Sequence, residues 1–189
     1  MAEGRGATAP LVTTVGHGTA SEEELTGLLS AAGLGALVDI RSYPGSRRHP
    51  QFGRDRMAEW LPAAGVSYRW ERDLGGFRRA RQDSVNTALR HPSFRGYADY
   101  MEEPAFGAAM DVLVGQARAE AVAVMCSESL WWRCHRRLLS DALVLWRGCE
   151  VRHLGHDGRL TPHRLTDGVR AGPGGRPVYD VGVTGRLDV

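Results

Sequence analysis

No lysine occurs in the 189 residues; all 24 basic residues are arginine. A lysine Schiff base or lysine general base is therefore excluded. Every cationic contact must be a guanidinium, which forks onto phosphate or carboxylate. Cysteine is scarce too: Cys126, Cys134 and Cys149 are the three. An odd count argues against a disulfide framework and leaves thiol chemistry, metal binding or core packing open. No apolar run approaches the ~20 residues needed to span a bilayer. The opening MAEGRGATAP lacks the apolar stretch of a secretory signal. A cytoplasmic protein with no membrane partner is expected. Charge of one sign is also lacking: 24 basic against 22 acidic residues leave a net +2. What is present, 42% hydrophobic and 24% charged residues, is ordinary for one globular domain.

Residues 1–10 are small and polar and are expected to be disordered. Leu11–Val15 is a β-branched run that ends at Gly16-His17-Gly18 and predicts a buried strand. Ser21 with Glu24 forms a capping-box pattern for a helix that Gly33 closes. Ala36–Ile40 predicts a second strand, Asp55–Ala64 a helix and Val66–Trp70 a third strand. Residues 78–92 are polar and Arg-rich and predict a long surface loop or lid. Ser93–Ala119 is expected to be helical with a break at Pro104. Ala121–Met125 is the most apolar strand candidate, followed by a helix over about 130–146 that ends at Gly148. Glu150–Leu154 is a fifth strand candidate. One α/β domain over 11–165 is expected, followed by an irregular Gly/Pro/Arg-rich tail over 166–189 with at most a short edge strand near Val178–Val183.

Buried runs alternating with amphipathic helices imply a mainly parallel sheet with helices on both faces, doubly wound and Rossmann-like. A partial β/α barrel is the alternative. In such folds ligands bind beyond the carboxyl ends of the strands. The residues falling there are His17, Asp39, Arg41, Ser46, Arg47, Arg48, Gly75, Gly76, Cys126, Glu128 and His153. Their convergence on one edge is the main argument for a site. Cys126 sits where a buried strand meets a helix, so backbone N–H groups and Arg133, Arg136 and Arg137 would favour a thiolate. Glu128, if partly buried, would serve as acid or base. Arg41 to Arg48, with Ser46 and Gly45, has the donors of an anion-binding loop. Cys126, Cys134 and His135 could also hold a metal, with His153 or His17 as a fourth ligand. The C-x7-C-H spacing lacks a zinc knuckle, however, and neighbouring helical positions would splay Cys134 and His135 apart. Trp131 and Trp132 fit either the core or a stacking platform. His49, His91, His156 and His163 fall in loops and are expected to be solvated.

Several short motifs occur in fixed order: Thr14-Val15-Gly16-His17, Val38-Asp39-Ile40-Arg41, Pro44-Gly45-Ser46-Arg47-Arg48 with Phe52, Leu74-Gly75-Gly76, Met125-Cys126-Ser127-Glu128 and Cys134-His135-Arg136. Over roughly residues 12–155 the chain resembles the domain of unknown function 488 family. The resemblance implies marked positions at His17, Asp39, Arg41, Ser46, Arg47, Cys126, Glu128, Cys134, His135 and Arg136. Gly18 is a departure, since the family often has Ser there. The family implies no reaction.

Three functions are expected in order of preference. The first is an enzyme acting on a phosphate-bearing substrate, a nucleotide or nucleic acid, by hydrolysis, group transfer or base processing. Cys126, Glu128, Asp39 and His17 would be its catalytic groups. Arg41, Ser46, Arg47, Arg48, Gly75, Gly76, Cys134, His135 and Arg136 would bind substrate. No cofactor is expected. The second is a non-catalytic nucleic-acid-binding module, and the third a metal- or redox-sensing protein built on Cys126, Cys134 and His135.

Overall fold

The computed structural model describes residues 8–45 and 48–182. Five parallel strands form the body of the sheet: β1 Leu11–Gly16, β2 Ala36–Asp39, β3 Ser67–Trp70, β4 Val122–Cys126 and β5 Glu150–Leu154. A sixth, β6 Leu160–Pro162, adds antiparallel to β5, giving the order β3-β2-β4-β1-β5-β6. The sheet is open, so the doubly wound arrangement holds and the barrel alternative does not.

The helices are α1 Glu22–Ala31, α2 Arg54–Ala63, α3 Pro92–Tyr100, α4 Pro104–Ala119 and α5 Arg136–Arg147. Ser21 and Glu24 make the reciprocal capping box that the sequence predicts. Pro104 separates α3 from α4, and Gly148 closes α5 in the left-handed conformation. Strand residues alternate between two cores. Ala123 and Met125 pack with Leu25 and Leu29 of α1 and Met57 and Leu61 of α2. Val124 and Cys126 face the other way, among Tyr97, Phe106, Leu113 and Leu138 of α3, α4 and α5. Period-two alternation with both faces apolar is what a doubly covered parallel sheet requires.

β1 and β4 are neighbours, yet their connections leave on opposite faces: α1 carries β1 toward β2, and α5 carries β4 toward β5. The chain therefore diverges beyond their carboxyl ends, which is where doubly wound folds form a ligand crevice.

Two expectations need correction. The segment after residue 166 is not simply irregular: β7 Val169–Ala171 and β8 Pro177–Tyr179 form an antiparallel hairpin. It is held because Tyr179 is fully buried and its hydroxyl donates to Asp141 at 2.8 Å. The stretch between the 3₁₀ turn at Arg72–Leu74 and α3 is a loop, as expected, but a pinned one. Asp99 accepts from the Arg81 amide, Ser84 Oγ and Asn86 Nδ2.

Candidate functional site

The diverging loops enclose a cavity of about 760 Å³, within the range of ~300–1,000 Å³ typical of small-molecule sites. Its lining includes His17, Arg41, Arg48, Gly76, Cys126, Glu128, Cys134 and His135 from the residues expected at the site. Ser46 and Arg47 lie outside the described residues. Asp39, Gly75 and Arg136 do not line the cavity; they stand behind it.

The β1 and β4 walls are stitched together past their ends. The His17 and Gly18 amides donate to the Cys126 and Ser127 carbonyls, each at 3.0 Å. Gly16 makes this approach possible, because a Cβ there would sit 1.9 Å from the Glu128 carbonyl oxygen.

At the second strand, Asp39 is fully buried and grips Arg41, with Nε donating to Oδ1 at 2.8 Å and Nη2 to Oδ2 at 2.6 Å. Tyr68 donates its hydroxyl to the same carboxylate at 2.9 Å, and burial followed by the Asp39 charge raises the phenol well above its ordinary value. Asp39 is thus enclosed by donors, an arrangement for positioning Arg41 more than for exchanging protons with a ligand. Arg41 Nη1 approaches His17 Nε2 at 3.3 Å.

His17 stacks on Phe52 with centroids 4.2 Å apart, and its Nδ1 lies 2.9 Å from the Gly18 carbonyl. A carbonyl only accepts, so Nδ1 carries the proton and Nε2 presents a lone pair to Arg41. Burial, then the Arg41 charge, pushes the His17 pKa down to about 4. The ring is neutral at physiological pH.

The two cysteines at the site face one another. Cys126 ends β4, and Cys134 joins the 3₁₀ turn at Trp131–Arg133 to α5. Their Sγ atoms are 2.7 Å apart. The sequence placed Cys134 and His135 on a regular helix pointing apart, but α5 begins only at Arg136 and Cys134 is extended. The two therefore meet: His135 Nδ1 lies 3.4 Å from Cys134 Sγ, and the Arg136 amide donates to that sulfur at 3.5 Å. Burial alone would raise the Cys134 thiol. The Cys126 hydrogen bond, His135 and the Arg136 charge outweigh it and hold Cys134 well below the ordinary thiol value. Cys126 goes the other way, pushed up by burial and by donating to Cys134. The two thiols are thus pushed in opposite directions, with Cys134 the more acidic of the pair. The sequence placed the thiolate on Cys126.

Arg136 is almost fully buried and is held by the Glu128 and Ser129 carbonyls rather than by a carboxylate. Among the described residues no carboxylate pairs with it, and its charge favours the thiolate form of both cysteines. Glu128 is exposed, and its Oε1 accepts from the Leu130 amide at 3.3 Å. The burial on which its acid–base role depended is not met. His135 Nε2 is buried with no hydrogen-bond partner among the described residues. Gly76 lies against this ring, where a Cβ would come within 3.1 Å of Nδ1.

The rim is aromatic. Tyr43 is 73% exposed and Phe77 84% exposed, both line the cavity, and their rings lie edge to face at 6.3 Å. Phe77 is the only non-glycine residue with positive φ (58°) among the described residues. Such strain concentrates at ligand sites. The Gly75-Gly76-Phe77 string marks a loop in the sequence, but nothing in it signals that Phe rather than Gly takes the left-handed position.

A second polar cluster lies outside the cavity. Thr14 Oγ1 meets His153 Nδ1 at 2.7 Å, His153 Nε2 meets His163 Nδ1 at 3.0 Å, and His163 Nε2 meets Asp141 Oδ1 at 2.9 Å. Asp141 only accepts, so His163 Nε2 donates to it. Burial, then His163 and Arg136, lowers the His153 pKa to about 3. His163, expected to be solvated, is buried here. Trp131, partly buried, stacks on His153 at 3.9 Å, while Trp132 is half exposed.

Among the described residues no group of three or more His, Cys, Asp or Glu side chains is arranged to hold a metal ion. No helix among them is long and apolar enough to cross a membrane. No curated protein and no solved structure matches the chain. A family model does: the domain of unknown function DUF488 matches residues 21–143, with both site cysteines, Arg41, Glu128 and His135 inside the match. As that stretch is well over half of the sequence, the chain belongs to the DUF488 family.

Proposed function

We propose that the protein is an enzyme that attacks a phosphate-bearing substrate of nucleotide size through the Cys134 thiolate, in hydrolysis or group transfer. The observation that carries this reading is the environment of Cys134: a cavity-facing sulfur with Cys126 at 2.7 Å, the His135 ring at 3.4 Å and the first amide of α5 at 3.5 Å. A low-pKa thiol at a helix N-terminus beside an imidazole is the usual form of an activated cysteine. His135 would move the proton, taking it from the attacking group or giving it to the leaving group through a ring already facing the sulfur.

Substrate class follows from the rest of the lining. Arg41, held rigidly by Asp39, and Arg48 supply guanidinium donors for an anion. Tyr43 and Phe77 at the rim offer faces for a flat ring. A nucleotide, free or at the end of a strand, carries both groups. A purely nucleic-acid-binding module is less well supported, because Trp131 is stacked on His153 and a binder has no use for a buried thiolate.

The test is incubation of the protein with a panel of nucleoside phosphates and sugar phosphates, with products resolved by chromatography and mass spectrometry. Turnover is expected for at least one nucleotide, abolished by Cys134→Ala and strongly reduced by His135→Gln. Turnover that survives Cys134→Ala, or a panel left wholly unconsumed, overturns the proposal.

A further inference from the structure

We infer that Cys126 and Cys134 form a reversible intramolecular disulfide, with Cys134 as the thiol oxidised first and Cys126 as the thiol that resolves it. This goes beyond the proposed catalysis and does not rest on it, since it concerns the state of the two sulfurs alone.

The geometry is already close to bonded. The sulfurs are 2.7 Å apart, whereas a disulfide needs about 2.05 Å. The remaining gap between the sulfurs is about 0.65 Å. Both residues line the cavity, so a small oxidant reaches them without unfolding. Their roles differ because their surroundings differ. Cys134 receives the Arg136 amide and lies beside His135 Nδ1. Cys126 is only 2% exposed, and apart from Cys134 its sulfur has one long contact, 3.8 Å to the Glu128 carbonyl. The better-solvated charge belongs to the attacking sulfur and the proton to its neighbour, which is the division of labour between a peroxidatic and a resolving thiol. Cys149 stands apart in the core at the junction of α5 and β5, its thiol's one hydrogen-bond partner among the described residues being the Arg147 carbonyl, and takes no part.

The oxidant is a hydroperoxide. The Cys134 thiolate attacks its outer oxygen; the S–O bond forms as the O–O bond breaks, and the alcohol or water leaves after taking a proton. The peroxide is reduced and Cys134 becomes a sulfenic acid. The Cys126 sulfur then attacks Cys134 sulfur, its thiol proton going to the departing hydroxide, which leaves as water. Two thiols and one hydroperoxide become one disulfide, one alcohol and one water. A dithiol reverses the step by exchange. In the oxidised form the thiolate is gone from the cavity, so proposed catalysis and disulfide exclude one another.

The test needs no variant to fold. The native full-length chain is treated with hydrogen peroxide, alkylated, denatured and digested with trypsin. Cleavage after Arg118, Arg133 and Arg136 places Cys126 and Cys134 on separate peptides. The expected product is one linked species joining them, lost on dithiothreitol treatment, with Cys149 still alkylated. In Cys126→Ser the reaction should stop at a sulfenic acid on Cys134 that dimedone traps; in Cys134→Ser no dimedone adduct should form on Cys126. A peroxide-treated wild type that keeps both thiols alkylatable, or that links Cys149 or two chains instead, overturns the inference. A linked peptide found in a protein inactive toward every nucleotide would retain the disulfide and discard the catalytic proposal.

Discussion

Two buried histidines make the protein's stability fall on mild acidification, well before its carboxylates titrate. His17 is lowered to about 4 by burial and Arg41, and His153 to about 3 by burial, His163 and Arg136. In the unfolded chain both return to 6.5. Between those limits the unfolded state binds more protons than the folded one. Stability therefore rises with pH across the window and is lost as pH falls below 6.5. Well below 6.5, each group costs about 1.4 kcal/mol per pH unit, so moving from pH 7 to pH 5 removes roughly 2 kcal/mol per histidine. The figure hardly depends on the folded values, provided both lie well under 5. Together they take about 3–4 kcal/mol from a total that is ordinarily ~5–15 kcal/mol. Cys134, also lowered, acts in the same sense. Urea unfolding at the two pH values measures the loss, and NMR of the ring C–H protons assigns it. Two of the seven histidines should stay neutral at pH 5. A stability difference under about 1 kcal/mol, or seven rings that all titrate near 6.5, would refute the argument.

Other substitutions probe single contacts. Asp141→Asn places an amide among donors from His163, Thr166 and Tyr179, and should cost about 2–4 kcal/mol in denaturant unfolding. Gly16→Ala drives a methyl into the Glu128 carbonyl and should lower stability by about 1–3 kcal/mol; an unchanged melting temperature would show that the loop gives way freely. Phe77→Gly removes left-handed strain from an exposed side chain, so stability should rise by up to about 1 kcal/mol while nucleotide affinity falls. Iodoacetamide alkylation of Cys134 should already be fast at pH 7 and level off early, and slow alkylation that climbs toward pH 9 contradicts the assigned thiolate.

Much of the fold was legible because its signals are periodic or local. Both faces of the sheet are covered, so each central strand reads as a continuous apolar run, and Ser21, Pro104 and Gly148 act within a few residues of where they stand. The small strands escaped notice. Leu160–Pro162 and Val169–Ala171 are three residues long, mostly exposed, and defined by their partners rather than their composition. The helix over 130–146 failed at its start for a related reason. Leu130 to His135 has no apolar spacing that separates an α-helix from a 3₁₀ turn and an extended residue, yet that difference turns Cys134 onto Cys126 and His135.

At the site, sequence pattern picked out many of the residues that line the cavity but not the contacts they make there. Which cysteine carries the charge depends on one amide and one ring. Whether Glu128 is buried depends on where the loop lies. Asp39 is acidic and strand-terminal like many catalytic acids, but Tyr68 and Arg41 fill its lone pairs. His163 sits in what looks like a polar loop, yet its side chain is buried against Asp141 of α5 and His153 of β5. Such facts concern partners remote in sequence, to which spacing is blind.

The central strand β1 lies outside the stretch the family model matches, and so does everything after residue 143. β1 pairs with both β4 and β5. A fragment cut at 21 and 143 would expose the edge of β4, end partway through α5, and leave Asp141 without His163 and Tyr179. The boundary by which relatives are detected is thus narrower than the boundary of cooperative unfolding. The Cys126–Cys134 site therefore depends for its stability on residues to either side of the matched stretch.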